Sequence, residues 1–115
     1  MGRGDVPGEF EQVVLLTLAG FPAEASGRQV YEALGDATER DVSVAAVHIT
    51  LGRLEEKGWA ERRTSDPEPG QGGKPRRHYS LSEAGAGVLA DLRKQLDGLW
   101  TQARNHPLFG GDTGA

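Results

Sequence analysis

A short basic cluster is the part of this sequence best suited to contact an anion. Lys74-Pro75-Arg76-Arg77-His78 places three permanently charged side chains within five residues, beside a run of glycines. Lysine and arginine next to flexible glycines suit contacts with phosphate groups. A charge run taken alone is more often a solvated loop, so the cluster gains meaning only from the elements that position it.

The same loop does not fit a nucleotide-binding motif. A Walker loop that ends at Gly73-Lys74 would need glycine at position 68 and serine or threonine at position 75, where the chain has Glu68 and Pro75. The three histidines lie in different predicted elements, and no two of them have the i,i+4 spacing of a metal-binding helix. No nucleophile elbow is present. We therefore predict no metal, no cofactor and no enzymatic activity.

Length and composition describe one small domain. The chain has 115 residues, 13 lysines and arginines against 17 aspartates and glutamates, a net charge of −4, and no cysteine. A chain without cysteine has no disulfides and fits a reducing compartment. The longest apolar stretch, from Val13 to Phe21, is well short of the roughly 20 residues that a membrane span needs. We expect a cytoplasmic protein with no membrane partner.

The charge is unevenly distributed along the chain. Residues 1–65 contain 7 basic and 11 acidic side chains, whereas residues 66–115 contain 6 of each. A negative total argues against nucleic acid, because affinity for DNA depends on neutralising phosphates. The distribution matters more than the total, and the basic residues have one focus, at the cluster described above.

Two helices are predicted in the first third of the chain. The first begins near Phe10 and runs through an almost wholly apolar segment. A strand is possible for residues 13–18 alone, but the charged residues that begin at Glu9 favour a helix. The second helix begins at Ser26, which forms a capping box with Gln29.

A third helix is predicted to open near Asp41 or Ser43, and either residue can cap it. Its apolar positions have the spacing of a core-facing stripe: Val44, Val47, Leu51 and Leu54. The outward arc then consists of Ala45, Ala46, His48, Ile49, Thr50, Gly52 and Arg53. This arc carries few long side chains and could approach a groove of DNA closely. Thr50 and His48 would read base edges, and Ser43 would bind a phosphate.

The hydrophobic period then changes from helical to alternating. Residues 59–65 alternate loosely and residues 77–81 more clearly, and the ten residues between 66 and 75 are mostly proline, glycine and polar residues. This pattern predicts a β-hairpin with a long tip. A linker between two domains is the alternative, which we disfavour because neither side has enough chain for its own core.

A last helix is predicted from Ser82 to about His106, where Pro107 blocks its continuation. Its apolar positions form an a/d seam: Leu89, Leu92, Leu96, Leu99 and Ala103. About 24 residues make a rod of roughly 36 Å, which a small domain can cover only in part. We therefore predict a homodimer that forms through this helix, with Phe10 of the first helix assisting. Packing within one chain is the alternative.

The order of elements predicts a mainly α protein with a small β-hairpin, an α+β fold. Three helices followed by a hairpin make a winged helix-turn-helix, in which the third helix enters the major groove. The predicted organisation is a flexible leader at residues 1–7, the winged helix-turn-helix at 8–81, the dimerisation helix at 82–106 and a disordered tail at 107–115.

The sequence resembles the PadR family of transcriptional regulators over about residues 8–100. The similarity is carried by Val-Ser-Val-Ala-Ala-Val-His-Ile-Thr-Leu-Gly-Arg-Leu-Glu-Glu-Lys-Gly at 42–58 and by Arg-His-Tyr-Ser-Leu-Ser-Glu-Ala-Gly at 77–85. His48 stands where the family usually has tyrosine. The single C-terminal helix is similar to that of the smaller PadR subgroup, whose members dimerise through it and often sense planar, hydrophobic or phenolic compounds.

The resemblance implies a sequence-specific transcriptional repressor that binds double-stranded DNA at a pseudo-palindromic operator as a homodimer. The implied DNA-binding residues are Ser26, Arg28, Ser43, Ala46, His48, Thr50, Arg53, Lys74, Arg76 and Arg77. Trp100, with Leu96 and Phe10 as neighbours, is the implied pocket for a planar hydrophobic or phenolic effector. The alternative is a winged-helix module that binds a protein partner and does not bind DNA.

Overall fold

Four α-helices and a small antiparallel sheet make up the computed structural model, which describes residues 6–66 and 75–110. The elements in chain order are α1 (Glu9–Ala19), β1 (Ala25–Ser26), α2 (Gly27–Thr38), α3 (Val44–Glu56), β2 (Ala60–Ser65), β3 (Arg76–Leu81) and α4 (Glu83–Ala103). The predicted fold class, mainly α with a small β-hairpin, is confirmed. No helix of the described residues is long and apolar enough to cross a membrane.

The helix starts follow the capping residues. The Ser26 hydroxyl accepts a hydrogen bond from the Gln29 amide at 3.1 Å, and the Gln29 side chain accepts one from the Ser26 amide at 2.8 Å, which confirms the predicted capping box. Of the two candidates for the third helix, Ser43 and not Asp41 is the cap, because its hydroxyl accepts from the Ala46 amide at 3.0 Å. These caps satisfy amides that a helix terminus would otherwise leave without partners.

One apolar core lies where the first three helices meet the sheet. The helix α1 is the most apolar and buries three side chains there, at a spacing that only a helix brings to one side. The largest fully buried side chains are Val14, Leu15, Leu18, Val30, Leu34, Val47, Leu51 and Leu54. Trp59, Ala60 and Tyr79 close this core from the sheet side.

The sheet has three strands in the order β1-β3-β2. The predicted hairpin is confirmed: β2 and β3 pair antiparallel, from Ala60 opposite Leu81 to Ser65 opposite Arg76. The strand β1, which pairs with β3 on the other side, was not predicted. Its two residues are too few to show an alternating pattern. The tip of the hairpin, residues 67–74, lies outside the described residues.

The first turn of the last helix packs closely against the residues just before β2, whereas the turns in its second half do not pack on the core. Ser82 caps α4, and its hydroxyl also donates to the carbonyl oxygen of Gly58 at 2.6 Å. Gly85 lies against the backbone of Trp59 so closely that a β-carbon there would overlap its carbonyl oxygen. Val88 and Leu89 still pack on the core, whereas residues 93–102 are exposed along their whole length.

The observed elements differ from the limits predicted for the two ends of the chain. Pro7, placed by sequence in a flexible leader, is buried, and its carbonyl oxygen accepts from the Gln12 side chain at 3.1 Å. Helix α4 ends at Ala103, before the predicted His106. Pro107–Phe109, expected in a disordered tail, form a 3₁₀ helix. Residues 1–5 and 111–115 are outside the described part of the chain.

Candidate nucleic-acid interface

An open groove of about 730 Å³ lies between the start of α2, the middle of α3 and the base of the hairpin. We call it the basic groove. The residues that line it come from all of these elements and are Ser26, Gly27, Arg28, His48, Arg62, Thr64, Pro75, Arg76 and Arg77. Five of the predicted DNA-binding residues are thus brought together: Ser26, Arg28, His48, Arg76 and Arg77.

The basic groove concentrates positive charge in a chain whose net charge is −4. None of the described residues that line it is acidic. Arg28 is partly neutralised by Glu32 at 3.2 Å, and Arg62 lies 3.6 Å from Glu55. Arg76 and Arg77 form no ion pair with any residue in 6–66 or 75–110. These two side chains are therefore the cations most available to a phosphate.

His48 forms the wall of the groove that belongs to α3. Its side chain is exposed, and its imidazole lies against Gly27, the first residue of α2. A β-carbon built on Gly27 would lie 2.5 Å from Cε1 of His48, closer than real β-carbons approach other atoms. The glycine therefore sets the position of the imidazole, and no local sequence pattern indicates this contact.

Thr50 is not on the outward face of α3, where the spacing of apolar residues predicts it. Its relative exposure is 5%, and it lies within the buried stripe with Val47, Leu51 and Leu54. Residues at i, i+3, i+4 and i+7 share one face of a helix, so the burial of Val47 and Leu54 places Thr50 on the core side as well. The prediction that Thr50 lies on the outward arc is wrong, and the half-buried Val44 marks the edge of the stripe instead.

The other predicted residues of α3 lie outside the basic groove. The Ser43 hydroxyl caps the helix, and Ala46 is half-buried. Arg53 is exposed, one turn after Ile49, and near enough to Glu11 for its charge to help lower the pKa of that carboxyl. Of the predicted residues of the hairpin, Lys74 lies outside the described residues.

Four residues of the groove were not predicted: Gly27, Pro75, Arg62 and Thr64. The alternation of β2 offered a signal for the latter two, because residues two apart share one face of a strand. Arg63, between them, points elsewhere: its guanidinium donates to Glu24, with Nε at 3.1 Å. This hydrogen bond lowers the pKa of Glu24 and raises that of Arg63. Of the three consecutive polar residues at positions 62–64, Arg62 and Thr64 therefore line the groove and Arg63 does not.

The predicted dimerisation residues divide into two groups. Phe10 and Leu89 pack against the core of their own chain, and Leu92 is half-buried. Leu96 and Leu99 have relative exposures of 42% and 63%, while Ala103 is half-buried. The apolar seam is thus covered in the first half of α4 and open in the second half.

The predicted effector residues are also separated. Trp100 has a relative exposure of 53%, and its ring contacts that of Phe109, with centroids 5.5 Å apart. Leu96 lies one turn before it on α4, whereas Phe10 packs against the core. Within the described ranges, no group of three histidine, aspartate or glutamate side chains could hold a metal ion.

No family model matches the sequence, and no curated protein matches it either. Solved structures do. A PadR-like transcription factor from Bacteroides fragilis has a TM-score of 0.70 and 22% identity, over 84% of this chain and 87% of that chain. A PadR family transcription regulator from Clostridium difficile has a TM-score of 0.65 and 20% identity, over 88% and 99%.

A third structure similar to this chain was solved with nucleic acid. Bacillus subtilis PadR in complex with operator DNA has a TM-score of 0.58 and 19% identity, over 72% of this chain and 46% of that chain. Similarity at this level of identity is similarity of fold. The chain therefore has the winged helix-turn-helix fold of the PadR-family transcriptional regulators.

Proposed function

We propose that this protein is a cytoplasmic transcriptional regulator of the PadR type that binds double-stranded DNA as a homodimer. It would act as a repressor at a pseudo-palindromic operator. The observation that carries the proposal is the basic groove, because it gathers four arginines and a histidine from four elements of an acidic chain. A protein-binding surface needs no such concentration of one charge, whereas a phosphate backbone does.

The proposed binding mode follows from the positions of the elements. The third helix of a winged helix-turn-helix enters the major groove, and the wing flanks it. In this mode Arg76 and Arg77, at the base of the hairpin, neutralise phosphates. Arg28 at the start of α2 would meet the same strand, since it lines the groove with them. Such contacts hold the protein in register but carry little sequence information.

The open half of α4 supports the dimer. Leu96, Leu99 and Trp100 are large apolar side chains that the described part of their own chain leaves exposed. A two-fold dimer that buries these side chains would remove the same apolar surface from water on both protomers, which favours association. It would also present two copies of α3 to successive major grooves, which lie about 34–36 Å apart on one side of B-DNA.

We also propose that a small planar effector binds beside Trp100. The indole of Trp100 is half-exposed beside Leu96 and Phe109, and such a surface at a dimer interface suits a hydrophobic or phenolic ring. An effector would release DNA only if it binds the non-binding arrangement of the dimer more tightly. Titrating planar aromatic compounds while following tryptophan fluorescence tests this, because Trp59 is buried and Trp100 is the exposed reporter.

Fluorescence anisotropy with the DNA upstream of the gene tests the central proposal. We expect binding to upstream DNA that is tighter than to a scrambled duplex of equal length, and affinity for both that falls steeply as salt rises. Absence of binding to either duplex at low salt would refute DNA binding. In that case the same purified protein would be examined as a protein-interaction module.

A further inference from the structure

Ile49 occupies the centre of the outward face of α3 with a relative exposure of 59%. Val47, Leu51 and Leu54 face the core, and a residue two positions after Val47 points to the opposite side of the helix. Ala45 and Gly52, one turn before and about one turn after Ile49, share this outward face. The side chain at the centre of this face is therefore a branched hydrocarbon, with the small residues Ala45 and Gly52 beside it and Arg53 one turn further on.

Three positions on this face lack the groups that usually read base edges by hydrogen bonds. Arginine, lysine, asparagine and glutamine make the bidentate contacts to guanine and adenine, and none of them occupies positions 45, 49 or 52. Two polar residues of the arc lie beside Ile49: His48 precedes it and faces the basic groove, and Arg53 follows it by one turn on the same exposed face. Ile49 itself can offer a base only apolar contact.

We propose that Ile49 reads the 5-methyl group of a thymine in each half-site of the DNA. This inference rests on the proposed DNA-binding function and names the chemistry by which α3 selects its sequence. The thymine methyl is the one apolar group that a base pair presents in the major groove. The absence of long side chains at positions 45 and 52 lets the backbone of α3 come close enough for isoleucine to touch it.

The expected size of the effect follows from the area that a methyl group buries. Burying one methyl-sized group changes an equilibrium constant by about fourfold. A two-fold dimer would make this contact once in each half-site, so loss of both methyl groups should weaken binding by about sixteenfold.

Replacing thymine by uracil tests the inference, because uracil lacks only the methyl group. The wild-type protein would first select its preferred duplex from a random pool. Each thymine of that duplex would then be replaced singly by deoxyuridine, and binding measured by anisotropy. We expect one thymine in each half-site whose replacement weakens wild-type binding about fourfold. Ile49→Ala should bind the thymine and uracil duplexes equally.

Two controls separate the contact from other effects. Leu16→Ala removes an exposed leucine on α1 and should leave the preference for thymine unchanged. Ile49→Ala removes no core contact and should unfold at the wild-type temperature. Equal wild-type affinity for all uracil duplexes, or a preference that survives in Ile49→Ala, would overturn the inference while leaving DNA binding intact. Failure of the wild type to select any DNA at low salt would overturn both.

Discussion

The imidazole of His48 on α3 lies directly against Gly27, the first residue of α2. The space that a β-carbon on Gly27 would need is already filled, since that atom would be 2.5–2.9 Å from three atoms of the imidazole. Both residues line the basic groove. The contact joins the two helices of the helix-turn-helix at the point where we expect DNA to lie. The imidazole of His48 can take this position only because residue 27 has no side chain.

Gly27→Ala should weaken DNA binding by displacing His48. The imidazole is the far end of a side chain and can swing into solvent, so we expect little loss of stability. The homodimer loses one hydrogen bond in each half-site, at about 1 kcal/mol each, so affinity should fall about thirtyfold. If the methyl group acts only through His48, Gly27→Ala will have no effect in a His48→Ala background, as measured by a double-mutant cycle in anisotropy. Additive losses would contradict this.

Arg76→Ala and Arg77→Ala should each weaken binding to every DNA sequence by a similar factor. In the homodimer each substitution removes one phosphate contact per protomer, two in all, so the slope of log affinity against log salt should become shallower by about 1.8. Arg93→Ala is the matched control, because Arg93 lies on α4 and pairs with Asp97 at 3.4 Å, away from the groove. An unchanged salt slope in both groove variants would count against phosphate contacts at the wing.

Leu96→Glu combined with Leu99→Glu should convert the dimer to a folded monomer. Both side chains are already exposed within one chain, so the substitutions cost its core nothing, whereas a dimer would have to bury four carboxylates. Sedimentation should give about twice the chain mass of 12.3 kDa for the wild type and the chain mass itself for the variant. Lys94→Glu, elsewhere on α4, should remain dimeric. A wild-type mass near 12.3 kDa at micromolar concentration would refute the dimer.

Glu11 should stabilise the folded protein at neutral pH, and this stabilisation should be lost in acid. Its partial burial raises its pKa, but hydrogen bonds from the Gly8 amide and from Lys57 outweigh this, and the pKa lies below the ordinary value of 4.5. A carboxyl whose pKa is lowered by folding stabilises the protein above that ordinary value, and the contribution disappears as pH falls through the folded pKa.

Urea unfolding between pH 3 and 7 measures this contribution. Glu11→Gln keeps a side chain that can accept the amide hydrogen bond but loses the charge that faces Lys57 at 3.0 Å. We expect it to be less stable than the wild type by about 0.5–1 kcal/mol at pH 7, and the difference in stability to shrink as pH falls below 4.5. A difference that stays constant across this range would show that the charge is not responsible.

Much of the fold can be predicted from local features of the sequence. Ser26 and Ser43 mark helix starts because a hydroxyl before an apolar stripe satisfies free amides, and this chemistry depends on only a few neighbouring residues. The change from helical to alternating period predicts the hairpin for the same reason. The basic cluster is also visible locally, and its position next to the hairpin indicates the side of the domain that meets an anion.

Other features were decided by contacts between distant segments. Apolar spacing on α3 leaves its rotation about the helix axis uncertain by one residue, and only packing against α1 and α2 places Thr50 inside and Ile49 outside. The strand β1 exists because β3 has a free edge beside it, not because two residues favour a strand. Gly27 and His48 are 21 positions apart in sequence, and no local pattern records that one must be small for the other to fit. Capping and periodicity are local, so the elements that form and the place where basic residues cluster can be inferred from the order of residues alone. Tertiary packing alone decided which side chains meet in the groove.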